Sequence, residues 1–287
     1  MSSQREPLRA LAALEREPGE HVAVQVLRAR WPGAAGLALG ALHEIRGRHA
    51  RTWVLVGLGA VDARVLFDPN LPVPSTLPRA AGTRRFPSTQ ANLFLQVGAD
   101  DRDALMAVLR ELDRALAPFC WRDEEVAGGW GAGHREPFGF RETAKWTRQR
   151  AEAVTIQTGI AAGSTWLLYL RFETDRERFL AHREREQIAI MGAEHSGTHL
   201  STPRDDAHVA RVHAYGARML RRGFPYRIAG TEGLAFVAVA ASPDVFAGAL
   251  DSMLGAHGPA DRLLDYANAV SAGVYFVPAH IPRVPAP

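Results

Sequence analysis

Two stretches decide the fold: NLFLQVGADDRDALMAVL at residues 92–109 and GLAFVAVAASPDVFAGAL at residues 233–250. Laid over one another without gaps, Asn92 onto Gly233, they share a pattern at an offset of 141 residues. Each is an apolar strand that runs directly into a capped amphipathic helix. In the first copy Asp100 or Asp101 supplies the cap, and Leu105, Val108, Leu109, Leu112 and Leu116 recur at helical spacing until Pro118 stops the helix. In the second, Ser242 is placed to cap with Pro243 at the first helical position, and Phe246, Ala249, Leu250, Met253 and Leu254 form the stripe. The offset is close to half of the 287 residues, so the repeat predicts two similar α+β modules.

Outward from the first copy, Val22, Val24 and Val26 alternate as a strand, and an Ala/Leu-rich helix spans 34–45. TWVLVGLG at 52–59 is a second strand, a Pro-rich connection covers 68–87, and a last strand is expected near Cys120 to Val126. Strand, helix, strand, strand, helix, strand is the ferredoxin-like order. TWLLYLRF at 165–172 and VYFVP at 274–278 supply strands to the second module. The expected division is 1–150, including a Gly-rich inter-module loop at 127–139, and 151–287.

Composition narrows the function. Hydrophobic residues at 47% and charged residues at 23% are those of a folded chain rather than a disordered one. Thirty-four basic residues stand against 31 acidic ones, scattered rather than clustered, which argues against a nucleic-acid partner. Cys120 is the single cysteine, so no internal disulfide and no thiolate zinc cluster can form. Neither a secretory h-region nor a membrane-length apolar run is visible, and the expected location is cytoplasmic.

Candidate chemistry therefore rests on histidines and carboxylates. HREPFGF at 134–140 joins His134 and Glu136 to a tight turn, DDAHVARV at 205–212 sets one imidazole beside two carboxylates, and MLRRGFPY at 219–226 carries two adjacent arginines toward a strand. A buried arginine of this pair needs a counter-group. Each segment alone also reads as an ordinary solvated surface.

Taken together, PFGFRE (137–142), GSTWLLYLRF (163–172) followed by EREQIAIMG, then DDAHVARV, MLRRGFPY, GLAFVAV and DRLLDYANAVSAGVYFVP (261–278) resemble the dye-decolorizing peroxidases in order and spacing. The resemblance runs from about Leu93 to Pro278. It implies an α+β protein of two ferredoxin-like modules of the dimeric α+β barrel type with haem b between them, using hydrogen peroxide to oxidise a small organic donor; self-association is compatible with it. By resemblance His208 is the iron ligand, Asp265 its hydrogen-bond partner with Asp261 as substitute, Arg221 the distal arginine, and Arg211 a haem-propionate contact. Two alternatives stay open: a haem enzyme of oxygenase or dehydratase type on the same scaffold, and a haem-binding or scaffold protein without catalysis.

The chain departs from the pattern at the distal carboxylate. Where the family carries Gly-x-x-Asp-Gly, Gly139 to Thr143 read Gly-Phe-Arg-Glu-Thr. Glu142 keeps a carboxylate but moves its oxygens by about 1.5 Å, and His134 is a candidate replacement. Ala193 stands where an arginine is expected, and Val212, His213 and Ala214 follow the ligand segment where Asn-Pro is frequent. Trp146, Tyr215 and Tyr226 are candidates for electron relay whose ordinary role is packing.

Overall fold

The computed structural model describes residues 13–46, 49, 51–143 and 147–280. The first module runs β1 (His21–Ala29), α1 (Ala34–Arg46), β2 (Thr52–Gly59), α2 (Ala60–Leu66), a small hairpin of β3 (Arg79–Ala81) and β4 (Arg84–Phe86), β5 (Leu93–Ala99), α3 (Arg102–Leu116) and β6 (Cys120–Gly128). After α4 (Arg148–Ala153) the second runs β7 (Thr165–Thr174), three crossover helices α5 (Arg176–Leu180), α6 (Glu184–Met191) and α7 (His208–Gly216), β8 (Leu220–Arg221), β9 (Phe224–Ile228), β10 (Thr231–Ala240), α8 (Asp244–Leu254) and β11 (Ala267–Val277).

Strand order is β2-β5-β1-β6 in the first module and β11-β7-β10-β9 in the second. In both, the module's first and third strands are central, which is the ferredoxin arrangement. The expected repeat holds to the residue at the strand ends: β5 stops at Ala99 and β10 at Ala240, the offset of 141 read from the sequence. Asp101 caps α3 through Ala104 N, as expected. α8 begins one residue later than expected, at Asp244, because Pro243 already occupies the cap, and Ser242 Oγ accepts from Asp244 N at 3.2 Å.

The two sheets join edge to edge. β11 pairs with β2 at Tyr275↔Gly59 and Phe276↔Leu58, and β6 pairs with β9 at Gly128↔Tyr226. With β7 pairing β10, eight strands close into a barrel. A Cβ at Gly128 would lie 2.3 Å from Pro225 O, so this seam requires a residue without one. A barrel of about eight strands has an interior that side chains can fill, and period-2 alternation fills it here: Val22, Val24, Phe94, Leu167, Tyr169 and Tyr275 point inward in one buried cluster. Leu93, Leu95, Leu168 and Leu170, one residue out of phase, belong to the cluster beneath the helices.

The barrel interior is filled by side chains; the open space lies on the outer face of the second module's sheet, with Trp130 and residues 136–143 of the inter-module segment contributing to its wall. Among the described residues, no helix is long and apolar enough to cross a membrane.

Candidate functional site

Alternation also separates the two arginines of MLRRGFPY. Leu220 points into the barrel, Arg221 outward, Arg222 inward and Phe224 inward again. Arg222 is completely buried, and burial pushes its guanidinium down to about 9. The counter-groups it meets are neutral: it donates to Leu14 O at 2.9 Å, Arg16 O at 2.7 Å and Gln96 Oε1 at 3.3 Å, and sits 4.9 Å from the Trp53 ring centre. Carbonyl dipoles and an aromatic face do the work a carboxylate was expected to do.

Arg221 enters a cavity roofed by α7 and α8, floored by the outer face of β7 and β10, and closed at one end by the loop that follows β6. Leu168, Leu170, Phe236, Val212, Ala249 and Met253 give it apolar walls. Against these stand a few polar side chains, among them Glu136, Glu142, His199, His208 and Arg221. An apolar pocket with a few convergent polar groups is the form of a ligand site.

His208 opens α7. Its Nδ1 is 2.7 Å from Asp261 Oδ2, and that carboxylate is completely buried. Asp261 Oδ1 accepts from Leu263 N at 2.9 Å, capping the short 3-10 turn Arg262–Asp265, so one side chain both starts the turn and fixes the imidazole. Burial alone would lower the imidazole's pKa; the charge and hydrogen bond of Asp261 outweigh it and hold the ring above its ordinary value. Asp265, the partner expected from the resemblance, is four residues on and points elsewhere: its Oδ1 accepts from Arg84 Nη2 at 2.6 Å on the surface. Asp261 holds the place instead.

On the loop, Glu142 Oε1 accepts from Arg221 Nη2 at 2.7 Å and from Thr143 N at 2.9 Å. The longer side chain thus reaches the arginine rather than turning away. Glu136 builds the turn behind it: its two carboxylate oxygens accept from Phe138 N at 3.0 Å and Phe140 N at 2.9 Å. Burial pushes this carboxyl up to about 7, against the pull of the two amides. Phe138 and Phe140 anchor the turn in a separate apolar cluster with Phe179, Ile190 and Met191.

The remaining candidates fall outside the cavity or the described residues. Arg211 donates to Pro259 O at 3.3 Å and is not among the residues lining the cavity. His134 pairs with Glu17 at 3.0 Å and stacks on Trp130, away from Arg221. Tyr226 is buried in the barrel and donates to Phe172 O; Tyr215 packs against Gly248. Trp146 lies outside the described residues. His199, which also lines the cavity, was not singled out from the sequence: it lies in a polar stretch, EHSGTHLSTPR, with no local pattern to mark it.

Residues 136–281 match the C-terminal region of the Dyp-type peroxidases. No match is found among curated protein sequences. Among solved structures, the chain resembles a dye-decolorizing protein from V. cholerae at 23% identity, covering 94% of this chain and 97% of that one, with a TM-score of 0.81. A putative Dyp-type peroxidase from Shewanella oneidensis is 19% identical over 98% of this chain and 97% of its own, with a TM-score of 0.84. A DypB variant from Rhodococcus jostii RHA1 in complex with heme is 20% identical over 94% and 97%, with a TM-score of 0.83. At such identities these neighbours speak for the fold alone, whereas the family match spans α7, both arginines and the last strand and covers half of the sequence. The chain belongs to the Dyp-type peroxidase family.

Proposed function

We propose that the cavity holds haem b with His208 as its iron ligand, and that the protein is a peroxidase that reduces hydrogen peroxide while oxidising a small organic donor. The observation that carries the reading is the presence of two fixed groups in the lining of one apolar cavity: an imidazole pinned by a buried carboxylate and a guanidinium pinned by a loop carboxylate.

The residues fit a haem. The apolar walls suit a flat macrocycle. Arg221 Nε is buried without a hydrogen-bond partner in the cavity wall, as expected of a donor waiting for a ligand.

When bound, haem supplies the redox chemistry of peroxide cleavage and donor oxidation. The chain supplies the rest. Asp261 takes the proton side of His208 Nδ1, orients the ring and strengthens its other nitrogen as a metal ligand. Arg221 places positive charge where peroxide oxygen gains negative charge, and Glu142 fixes the guanidinium in that position. Leu168, Leu170 and Phe236 exclude water from the cavity floor.

Titrating the purified protein with haemin tests the binding step: a Soret band saturating at one haemin per chain is expected. Mixing the loaded protein with hydrogen peroxide and an oxidisable dye tests the reaction. Failure to take up haemin, or uptake with no peroxide-dependent oxidation, overturns the respective half of the reading.

A further inference from the structure

The Glu142 to Arg221 pair leaves a chemical vacancy. Hydrogen peroxide must lose a proton on its way to cleavage, and a group committed to holding a guanidinium by charge is a poor base. Of the other titratable groups lining the cavity, Glu136 has both carboxylate oxygens engaged by the amides of Phe138 and Phe140, which leaves His199 as the candidate.

His199 closes a short hairpin. Ala193 and His199 form an antiparallel bridge, Glu194 N donates to Thr198 O at 2.9 Å, and Leu200 N donates to Gly192 O at 3.0 Å. This hairpin lies directly on the loop that carries Glu142. Arg141 N donates to His195 O at 3.1 Å, the His195 ring stacks on Phe140 at 4.3 Å, and a Cβ on Gly197 would come within 2.5 Å of Arg141 O. The contacts fix the hairpin's height above the cavity and set His199 on its rim. The imidazole is exposed at the mouth while also lining the wall with Glu142 and Arg221, and its ring is 6.4 Å from that of His213 on α7.

We propose that His199 is a catalytic proton acceptor of this site, taking the proton of hydrogen peroxide while Glu142 acts as the positioning residue for Arg221. In this step an O–H bond of peroxide breaks, an N–H bond forms on the imidazole, and the hydroperoxide anion left behind is met by the Arg221 guanidinium. Electrons and atoms balance without a further reagent. The proposal rests on the peroxidase reading above.

The electrostatic setting agrees. Partial burial, then the Arg221 cation and His213, hold His199 below its ordinary pKa, with His208 adding to the effect and Glu142 opposing it. The ring is therefore neutral and able to accept at neutral pH. An acceptor that stays neutral somewhat below pH 6.5 extends the range in which peroxide can be deprotonated.

Hydrogen cyanide is the probe, because it too must give up a proton to bind ferric haem as an anion, and its binding is read without turnover. Association rates are compared across pH for the haem-loaded wild type, His199→Gln and Glu142→Gln. In the wild type the rate is expected to fall with acid through an inflection below pH 6.5. His199→Gln is expected to lose about 100-fold in rate together with the inflection, while taking up haemin normally. Glu142→Gln is expected to slow binding yet keep the inflection. An unchanged rate and inflection in His199→Gln, or loss of the inflection in Glu142→Gln alone, overturns the assignment. A wild type without a Soret band fails earlier and retires the peroxidase reading with it, so the two failures are distinguishable.

Discussion

The two modules share one plan and use it in opposite ways. In the first, the outer face of the sheet is closed by α1 and α3, whose Ala38, Leu39, Leu42, Leu105, Leu109 and Leu112 interlock with the strands in one buried cluster. In the second, the equivalent crossover is much longer, residues 175–223 against 30–51, and carries three helices instead of one. Its last helix, α7, packs on α8 rather than on the sheet. The approach is so close that a Cβ at Gly248 would lie 2.4 Å from Tyr215 Cε1. Helices that bind each other leave the sheet face beneath them open, and the loop after β6 supplies the end wall. One module spends its face on stability, the other on a cavity.

The strongest way to break that contrast is to remove the group the cavity exists to present. His208→Ala is expected to abolish stable haemin uptake, read by Soret titration, while the far-UV spectrum and urea midpoint stay near those of the haem-free wild type. Asp261→Asn leaves the ligand but removes its anionic partner, and a loss of about 10- to 100-fold in haem affinity is expected, with a rise in the reduction potential of the bound iron. Retention of full affinity in both variants would mean that the open face of the second module serves something else.

Packing offers a sharper comparison between matched helices. Leu109 on α3 and Met253 on α8 both belong to the stripes read from the repeat, and both are buried. Leu109→Ala opens a void in a closed core and is expected to cost about 2–5 kcal/mol in urea unfolding. Met253 already borders the cavity, so its truncation enlarges a space that exists, and roughly half that cost is expected in the haem-free protein. Equal costs would show that the second module is as tightly filled as the first.

This difference was only partly legible in the sequence. Strand and helix order could be read because period 2 and period 3.6 are local, and the repeat was visible because both copies bury the same stripe. Barrel closure was expected from the family resemblance alone: its seams rest on backbone pairing at Gly59, Gly128, Tyr226 and Tyr275, which leaves little mark on side-chain pattern. The β3–β4 hairpin within 68–87 was hidden by its prolines and charges. Likewise, DRLLDY offers two aspartates one turn apart, and only the path of the chain decides that Asp261 N bonds to Met253 O and turns its carboxylate inward. His208 and Arg221 were singled out because a family pattern runs through them, and Glu142 because it departs from that pattern; His199 belongs to none.

A pH dependence should follow from the loop that walls the cavity. Glu136 titrates in the folded protein at about 7, above its ordinary 4.5, because burial disfavours its charge. The folded state therefore holds this proton after the unfolded chain has released it. Stability from this group is fully present below pH 4.5 and is lost as pH rises through 7. The expected fall is up to about 3 kcal/mol in urea unfolding of the haem-free protein. Glu136→Gln should flatten that slope. A slope that survives the substitution would have to be sought in another group.

The smallest expected effect is the most discriminating for the ligand's partner. Asp265 sits at the far end of the same short turn as Asp261, bound to Arg84 from the hairpin of the first module, with both side chains partly exposed. Exposed ion pairs contribute under about 1 kcal/mol, and no contact of this carboxylate reaches His208. Asp265→Asn should leave haem affinity and reduction potential unchanged and shift the urea midpoint only slightly, whereas Asp261→Asn moves the first two strongly. Two substitutions of the same chemistry, four residues apart, then separate a carboxylate that tunes the iron from one that ties the modules together. If Asp265→Asn were the variant to alter the potential, the imidazole would have to be oriented from the surface, which the buried contact of Asp261 with Nδ1 argues against.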